Sequence, residues 1–232
     1  MIRRRLILPG LLTTLFALTA GFNNLSAQQP SDQEGNIAVS PIEDLMREHG
    51  VLRRILLIYE KELKGMDNDK NPQYDVIFKS ANIIHEFIEG YHEKLEEDHI
   101  FPIFEKAVKL TDLTKTLREQ HEAGRKLTRE ILRFSKAKET GSKDNPNALA
   151  GNLRSFIKMY RPHAAREDTV LLPALRKFIS EKEYDELGDK FEDKERELFG
   201  ENGFENIVKE VEDIEKSLGI YELSRFTPAG KL

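Results

Sequence analysis

The sequence of 232 residues contains no cysteine. This absence excludes disulfide bonds, thiolate metal sites, cysteine nucleophiles and the attachment of a lipid to an N-terminal cysteine. Any metal ion that the protein binds must therefore be held by nitrogen and oxygen ligands.

The sequence also lacks an excess of positive charge, because 36 Lys and Arg residues are outnumbered by 41 Asp and Glu residues, giving a formal net charge of -5. Charges of both signs are scattered along helical faces, so we expect no nucleic-acid partner. No segment alternates apolar and polar residues between turn signals, so β-strands are not expected. Hydrophobic residues make up 39% of the chain, which is ample for a buried core.

The first 27 residues have the features of a signal peptide. Three consecutive arginines at residues 3–5 precede an apolar stretch at residues 6–20, and Ala27 offers a small residue at a plausible cleavage point. We therefore expect export by the Sec or the twin-arginine route, a periplasmic or secreted location, and a flexible leader at residues 28–39. The apolar stretch is short and interrupted, so an N-terminal membrane anchor is the less favoured alternative and no stable span is expected after cleavage.

Residues 40–180 carry the pattern of four long amphipathic helices. Three starts are marked by a capping residue followed by proline, at Ser40-Pro41, Asn71-Pro72 and Asn145-Pro146. The helices are predicted at about residues 41–64, 73–108, 112–138 and 146–180. Because the connections between them are short, neighbouring helices should be antiparallel, and the fold class is all-α with an up-down-up-down four-helix bundle. Internal prolines should bend the second and fourth helices.

Residues 181–232 are predicted to form a C-terminal helical extension and tail. Two amphipathic helices are expected, at residues 183–199 and 203–218, followed by a loosely held end. Residues 181–218 could pack across the bundle or form a surface for a protein partner or a second copy of the chain.

A repeat of about seventy residues is the main functional signal. Each copy contains a histidine, a glutamate four residues later and a proline six residues after the glutamate. The two sets are His92, Glu96 and Pro102, and His163, Glu167 and Pro173. A single histidine lies roughly forty residues before each set, His49 in the first copy and His121 in the second.

The spacing within the repeat is that of a metal site. Residues four apart lie on one face of a helix, so each histidine and glutamate of the repeat supply an imidazole and a carboxylate to a common point. With His49 and His121, the set suits two iron ions, or manganese or zinc, bridged by Glu96 and Glu167. Each ion would take two histidines and both bridges, which leaves positions for a bridging oxide or hydroxide and for an external ligand.

The alternative interpretation is that these histidines are hydrogen-bonded core residues without a metal. A single histidine on an apolar stripe is more often of this kind. Four buried histidines and two buried acids, however, would leave several polar groups unpaired in the core, each at a cost of roughly 1–3 kcal/mol or more. The metal site is therefore the favoured interpretation.

The residues around both copies resemble the hemerythrin-like HHE cation-binding domain. Residues 91–97, YHEKLEE, followed by IFP, resemble its first half, and residues 163–168, HAARED, followed by LP, resemble its second half. The resemblance covers about residues 40–180. It implies a four-helix bundle with a non-haem di-iron centre that binds dioxygen or a related small molecule.

The chain departs from the oxygen-carrying members of that family in two ways. Those proteins have a fifth histidine one turn from the first on the third helix, where this chain has Leu117 and Arg125. They also place an aspartate five residues after the fourth-helix histidine, a spacing that Asp168 fits. We favour Glu167 as the ligand because it copies Glu96, with Asp168 as the alternative. The smaller histidine set favours redox turnover or sensing over stable reversible oxygen transport.

Other polar residues near the repeat carry weaker interpretations. Tyr91 and Tyr160 could hydrogen-bond a ligand, although buried aromatic residues usually serve packing. Glu93 points about 100° away from the neighbouring histidine on a helix and is expected to be solvated. His85 and His99 lie too far along the helix to share the metals, and are expected to line an access path or to face solvent.

Three classes of function fit this sequence. The first is a di-iron protein of the cell envelope that binds dioxygen, nitric oxide or peroxide for scavenging, sensing or iron handling. The second is a di-iron oxidase or peroxidase, although ferritin-like enzymes use Glu-x-x-His pairs and more carboxylates than this chain offers. The third is a non-catalytic interaction module in which residues 181–232 bind a partner. Whether the protein is an enzyme stays open, and no catalytic residue is assigned.

Overall fold

The computed structural model describes residues 39–136 and 145–228. The predicted signal peptide and nearly all of the predicted leader lie outside the described residues. Within the two described ranges, no helix is both long enough and apolar enough to cross a membrane.

Six long helices, labelled α1 to α6, make up most of the described residues, and no β-strand occurs among them, which confirms the all-α fold class. Four of them are regular α-helices. These are α1 (Pro41–Met66), α3 (Thr111–Ser135), α5 (Glu181–Phe199) and α6 (Gly203–Ser217). A short 3-10 turn, Leu223–Phe226, follows α6 and is exposed.

The other two long helices, α2 and α4, contain wider π-helical segments. α2 is a continuous run over residues 74–106. Its segments are α-helical Tyr74–Ile83, π-helical Ile84–His92, α-helical Glu93–Leu95, π-helical Glu96–Ile100 and α-helical Phe101–Lys106. α4 runs over residues 146–177. Its segments are α-helical Pro146–Arg166, π-helical Glu167–Leu171, α-helical Leu172–Ala174 and 3-10 Leu175–Lys177.

The predicted caps of the first and fourth helices are confirmed. Ser40 Oγ accepts a hydrogen bond from the backbone N–H of Glu43 at 3.3 Å, and Asn145 Oδ1 accepts one from the N–H of Ala148 at 3.0 Å. Each bond satisfies a backbone donor that the first turn of a helix leaves unpaired. The local sequence therefore predicts both helix starts correctly.

The predicted cap of the second helix is wrong. The helix begins at Tyr74, and Gln73 rather than Asn71 precedes its first residue. The backbone N–H of Gln73 donates to Glu62 Oε2 at 2.8 Å, and its side-chain amide donates to Glu62 Oε1 at 3.1 Å. Because Glu62 lies in α1, a contact between two helices fixes this start instead of a local capping residue.

The boundary between α4 and α5 also differs from the prediction. The sequence predicts that α4 continues to residue 180, but its last α-helical segment ends at Ala174 and a 3-10 turn follows. α5 begins at Glu181 with a capping box. The N–H of Glu183 donates to Ser180 Oγ at 3.3 Å, and the N–H of Ser180 donates to Glu183 Oε2 at 2.8 Å. These reciprocal bonds favour a new helix start at this point.

The π-helical segments accommodate two prolines of the repeat. The N–H of Phe101 bonds to the carbonyl of Glu96, and the N–H of Leu172 bonds to the carbonyl of Glu167, each five residues back instead of four. In a regular α-helix, the ring of the following proline would clash with the carbonyl four residues earlier. The wider turn relieves that clash, so both helices continue past the proline. Pro162 lies inside an α-helical segment, and a bend there stays a prediction.

The first four helices form a bundle in which each packs against two neighbours, in the order α1, α2, α3, α4 and back to α1. α5 and α6 pack on the outside of α1, and α6 also contacts α2. Phe199 of α5 lies 5.5 Å from Phe87 and 5.7 Å from Tyr91, measured between ring centroids. Arg54 of α1 donates to Glu215 of α6 at 2.6 Å. The bundle and the extension thus share a core, and a partner surface on residues 181–218 stays a prediction.

Gly124 allows α3 to approach α4 closely. A Cβ atom at this position would lie 2.7 Å from Cζ of Tyr160 and closer still to its hydroxyl oxygen. Tyr160 is buried in the core, so its ring has little room to move away. Gly151, on the exposed side of α4, has no atom within 4 Å of the equivalent Cβ position.

We expect Gly124→Ala and Gly151→Ala to change stability in opposite directions. The first should lower the free energy of unfolding by about 1–3 kcal/mol because it overpacks the interface with Tyr160. The second should raise it by about 0.5–1 kcal/mol because alanine favours a helix over glycine. Urea unfolding of both variants measures the two effects, and stabilisation by Gly124→Ala would contradict the close approach.

Candidate metal centre

All four helices of the bundle send polar side chains to a common buried centre. The six side chains are those predicted from the repeat. They are His49 of α1, His92 and Glu96 of α2, His121 of α3, and His163 and Glu167 of α4. None of the six is more than 4% exposed.

The four imidazoles form two close pairs. Nε2 of His49 lies 3.0 Å from Nε2 of His92, and we call this pair position A. Nε2 of His121 lies 3.2 Å from Nε2 of His163, and we call this pair position B. Each position, together with a glutamate, offers three ligand atoms that lie within 4.8 Å of one another. The two groups are His49, His92 and Glu96, and His121, His163 and Glu167.

Glu96 lies between the two positions. Its Oε2 atom is 3.7 Å from Nε2 of His92 in position A and 3.6 Å from Nε2 of His121 in position B. A carboxylate placed between two groups of imidazoles in this way has the arrangement of a bridging ligand.

Glu167, rather than Asp168, faces the same centre. Oε2 of Glu167 lies 3.2 Å from Nε2 of His49 and 3.0 Å from Nε2 of His163, so it also reaches both positions. Asp168 lies on the far side of His49, with Oδ1 2.7 Å from Nδ1. The repeat spacing therefore identified which of the two acids points inward.

The carboxylate oxygens at the centre have the surroundings of cation ligands. All four oxygens of Glu96 and Glu167 are buried and meet no donor with hydrogen-bond geometry, although imidazole nitrogens lie nearby. Burying such groups without a partner is costly, whereas a metal ion among imidazoles and carboxylates satisfies them. The side chains at the centre therefore fit a pair of metal ions.

The outer nitrogen of every histidine at the centre is held by a further side chain. In each case Nδ1–H donates to a carboxylate or amide oxygen. The pairs are His49 with Asp168 at 2.7 Å, His92 with Glu48 at 2.7 Å, His121 with Glu97 at 3.0 Å, and His163 with Gln120 at 2.9 Å. Bonds of this kind fix the ring orientation and direct Nε2 at the centre, as in metal sites.

Sequence reasoning missed three of these outer residues, Glu48, Glu97 and Gln120. The repeat contains a signal that could have found them. Glu48 and Gln120 each directly precede the first histidine of their copy, and Glu97, like Asp168, directly follows a glutamate of the centre. The repeat therefore includes the residue before each single histidine and the residue after each glutamate.

Burial and hydrogen bonding shift the pKa values of the histidines. Burial lowers the pKa of His49, but its hydrogen bond to Asp168 and the nearby carboxylate of Glu167 outweigh burial and raise the pKa to about 9. Burial and the nearby charge on His49 hold the pKa of His92 well below its usual value. Burial lowers the pKa of His121 to about 4. Metal binding at neutral pH must therefore displace a proton from His49.

The pKa values of the two glutamates of the centre are shifted in opposite directions. Burial and the nearby charge of Glu167 raise the pKa of Glu96 well above its usual value. Burial also opposes ionisation of Glu167, but His163 and His49, at 3.0 and 3.2 Å, hold its pKa well below the usual value. The shorter contacts of Glu167 account for the difference. Without a metal, ionisation is therefore favoured at Glu167 and disfavoured at Glu96.

The prediction that Glu93 faces solvent is wrong. Its side chain is 1% exposed, accepts a hydrogen bond from the Tyr160 hydroxyl at 2.6 Å, and lies 3.0 Å from Nη2 of Arg125. Burial raises the pKa of Glu93 to about 8. The side chain is drawn inward because α3 and α4 supply a cation and a hydroxyl donor that the position of Glu93 on its own helix does not reveal.

The remaining candidates lie outside the centre. His85 is exposed and pairs with Glu89 on its own helix at 3.3 Å. His99 is half-buried and lines a cleft between α2 and α5. The Tyr91 hydroxyl donates to the carbonyl of Phe191 in the extension at 3.3 Å, so this tyrosine serves packing.

Comparisons with known proteins point to one family. The family model described as the hemerythrin HHE cation binding domain matches residues 40–175. Uncharacterized proteins of Mycobacterium tuberculosis strain H37Rv and of Mycobacterium bovis are each 47% identical to this chain over 196 residues, which cover 84% of this chain and 77% of each relative. No solved structure matches the chain at a significant level.

Proposed function

The chain belongs to the hemerythrin HHE cation-binding family, and on that premise we propose that it binds two iron ions at positions A and B. Each ion would be held by the two histidines of its position, with the carboxylates of Glu96 and Glu167 between the ions. Manganese and zinc are the alternative metals. We further propose that the loaded centre binds dioxygen, nitric oxide or peroxide in the cell envelope, for scavenging, sensing or iron handling.

One observation carries the metal proposal, namely the four buried carboxylate oxygens of Glu96 and Glu167 that face imidazole nitrogens without a hydrogen-bond donor. An unsatisfied buried polar group costs about 1–3 kcal/mol, and more if it is charged. Imidazole with carboxylate suits iron, manganese or zinc, whereas calcium and magnesium favour all-oxygen sites. The donor set therefore supports a transition metal.

The surroundings of the centre support a small ligand. Bound iron would supply one-electron redox chemistry and coordination positions for an external molecule. The rings of Phe101 and Tyr160 pack against His121 and His163, with centroids 5.5 and 5.3 Å apart, and help to exclude water from position B. A buried site of this kind suits a diatomic molecule or peroxide better than a larger substrate. The envelope location rests on the arginines and the apolar stretch of residues 1–27.

We expect anaerobic reconstitution with ferrous iron to load two ions per chain, and His92→Ala or His163→Ala to retain at most one. Each substitution removes a ligand from one position. Iron per chain is measured after gel filtration, and the optical spectrum is followed as nitric oxide or dioxygen is added. His85→Ala is the matched control, because His85 lies on the same helix as His92 but is exposed, and it should retain both ions and the spectral change.

Two results would change this assignment. Retention of two ions per chain by both histidine variants would contradict metal binding at positions A and B. Steady consumption of peroxide in the presence of a reductant would indicate a di-iron oxidase or peroxidase in place of a binding protein.

A further inference from the structure

The repeat relates the surroundings of positions A and B as well as their histidines. At position A, His49 bonds through Nδ1 to Asp168, which directly follows Glu167, and His92 bonds to Glu48, which directly precedes His49. At position B, His121 bonds to Glu97, which directly follows Glu96, and His163 bonds to Gln120, which directly precedes His121. The two positions differ in the charge of one of these acceptors, because Glu48 is an acid and Gln120 is a neutral amide.

This difference changes the donor strength of a histidine. A carboxylate that accepts the Nδ1–H bond makes the imidazole more basic and a better metal ligand than a neutral acceptor does. At position A both histidines have a carboxylate acceptor. At position B, His121 has Glu97, but His163 has only the amide oxygen of Gln120 at 2.9 Å.

The charges around position B weaken it further. Glu97 accepts from Lys94 at 2.6 Å and also forms an ion pair with Arg125, so two cations compete with His121 for its charge. Glu93 lies nearby, but its oxygens are engaged by the Tyr160 hydroxyl and Arg125. Position B therefore has little negative charge that is not already matched by a cation.

Position A is more strongly anionic. Asp168 is shared with a single cation, Arg53. One carboxylate oxygen of Glu48 lies within 4.8 Å of one oxygen of Asp44 and one of Glu195, and all three side chains are buried. One cation, Arg47, lies 3.9 Å from Asp44 in this group of three acids. The surroundings of this position therefore favour a cation at the centre more than those of position B.

We propose that the two positions bind metal unequally, with position A filled first and more tightly, and that Gln120 sets most of the difference. The inference rests on the proposed metal binding and adds an order of loading to it. Gln120 acts through His163 and is a positioning residue. As a consequence, the protein passes through a state with one metal at position A, and metal exchanges first at position B.

The test is a titration of the metal-free protein with Co(II), followed by visible absorption and equilibrium dialysis. We expect two binding steps whose dissociation constants differ by at least about tenfold, the usual effect of losing an outer hydrogen-bonding partner. Gln120→Glu should tighten the weaker step by about tenfold and Glu48→Gln should weaken the tighter one by about as much. Glu119→Gln is the control, because Glu119 is exposed beside Gln120 and its substitution should change neither step.

Single-position variants assign the steps. His121→Ala keeps position A intact and should retain the tighter step, whereas His49→Ala keeps position B intact and should retain the weaker one. Circular dichroism of each variant checks that the helices are kept.

Each outcome has a separate meaning. Fewer than two Co(II) ions bound by the wild-type chain would overturn the metal proposal itself. Two equal steps would leave that proposal standing and overturn the unequal loading. Two unequal steps that Gln120→Glu does not change would show that Gln120 is not the residue responsible.

Discussion

Saturating the metal-free protein with Co(II) should raise its melting temperature by about 15–30 °C. A ligand that binds only the folded state stabilises it by about 4 kcal/mol per site at a free concentration of about 1,000 times its dissociation constant. Two sites give about 8 kcal/mol, and each kcal/mol shifts the melting temperature of a chain of this size by about 2–4 °C. The increase is large because the ions pair the buried carboxylates of Glu96 and Glu167, which the metal-free protein leaves without hydrogen-bond donors.

Thermal unfolding followed by circular dichroism, with chelator and then with Co(II), measures this shift. His163→Ala should lose much of it because position B is broken, whereas His85→Ala should keep all of it. Magnesium serves as the control ion, since it prefers oxygen ligands and should have little effect at an imidazole-rich centre. A melting temperature that responds equally to magnesium and Co(II) would indicate general charge screening instead of binding at positions A and B.

The elements that could be predicted from the sequence are those that local residues determine. The caps at Ser40 and Asn145 act within one helical turn, and both were predicted correctly. The start of α2 was not, because it depends on the bond between Gln73 and Glu62, a residue of another helix. The sequence analysis did not predict the π-helical segments, although the prolines that follow two of the three, Glu96–Ile100 and Glu167–Leu171, are a local signal that an ordinary α-helix is disfavoured.

The same distinction applies to the centre. The structure brings together all six side chains that the repeat predicts. A spacing of four residues fixes the common face of each histidine and glutamate on one helix, whereas His49 and His121 could be predicted only from their repeated position before each pair. Which residues lie behind them depends on the rotation of the neighbouring helices. Glu93 shows the limit most clearly, since its angle on α2 points away from His92, yet Arg125 and Tyr160 of other helices hold it inside the core.

In the metal-free protein, we expect Glu96→Gln and Glu167→Gln to change stability in opposite directions. Because the folded pKa of Glu96 is raised, the stability that its protonated form provides is complete below its usual value of 4.5 and is lost as the pH rises through the folded pKa. The amide resembles the protonated acid at every pH. Glu96→Gln should therefore be more stable than wild type at neutral pH, by a difference that grows by up to about 1.4 kcal/mol per pH unit above 4.5.

The stability that Glu167 contributes depends on pH in the opposite direction. Its folded pKa is lowered, so the stability that its carboxylate provides is present above 4.5 and is lost as the pH falls through the folded pKa. The amide cannot replace that charge beside His49 and His163. Glu167→Gln should therefore be less stable than wild type at neutral pH and approach it in acid. Urea unfolding with chelator from about pH 3 to 8 measures both curves, with the exposed Glu119→Gln as the control.

When metal is added, the two variants should no longer change stability in opposite directions. An amide is a poor bridging ligand, so Glu96→Gln and Glu167→Gln should both lose most of the stabilisation that Co(II) gives to wild type. If a glutamate served packing alone, its substitution by glutamine would change the stability by the same amount with and without metal. At Glu96, by contrast, we expect the neutral form to be better for folding and the charged form to be needed for metal binding. This combination would indicate that Glu96 serves as a metal ligand. Destabilisation of the metal-free protein by Glu96→Gln, to the same extent as by Glu167→Gln, would show that Glu96 is already charged and paired without the metal.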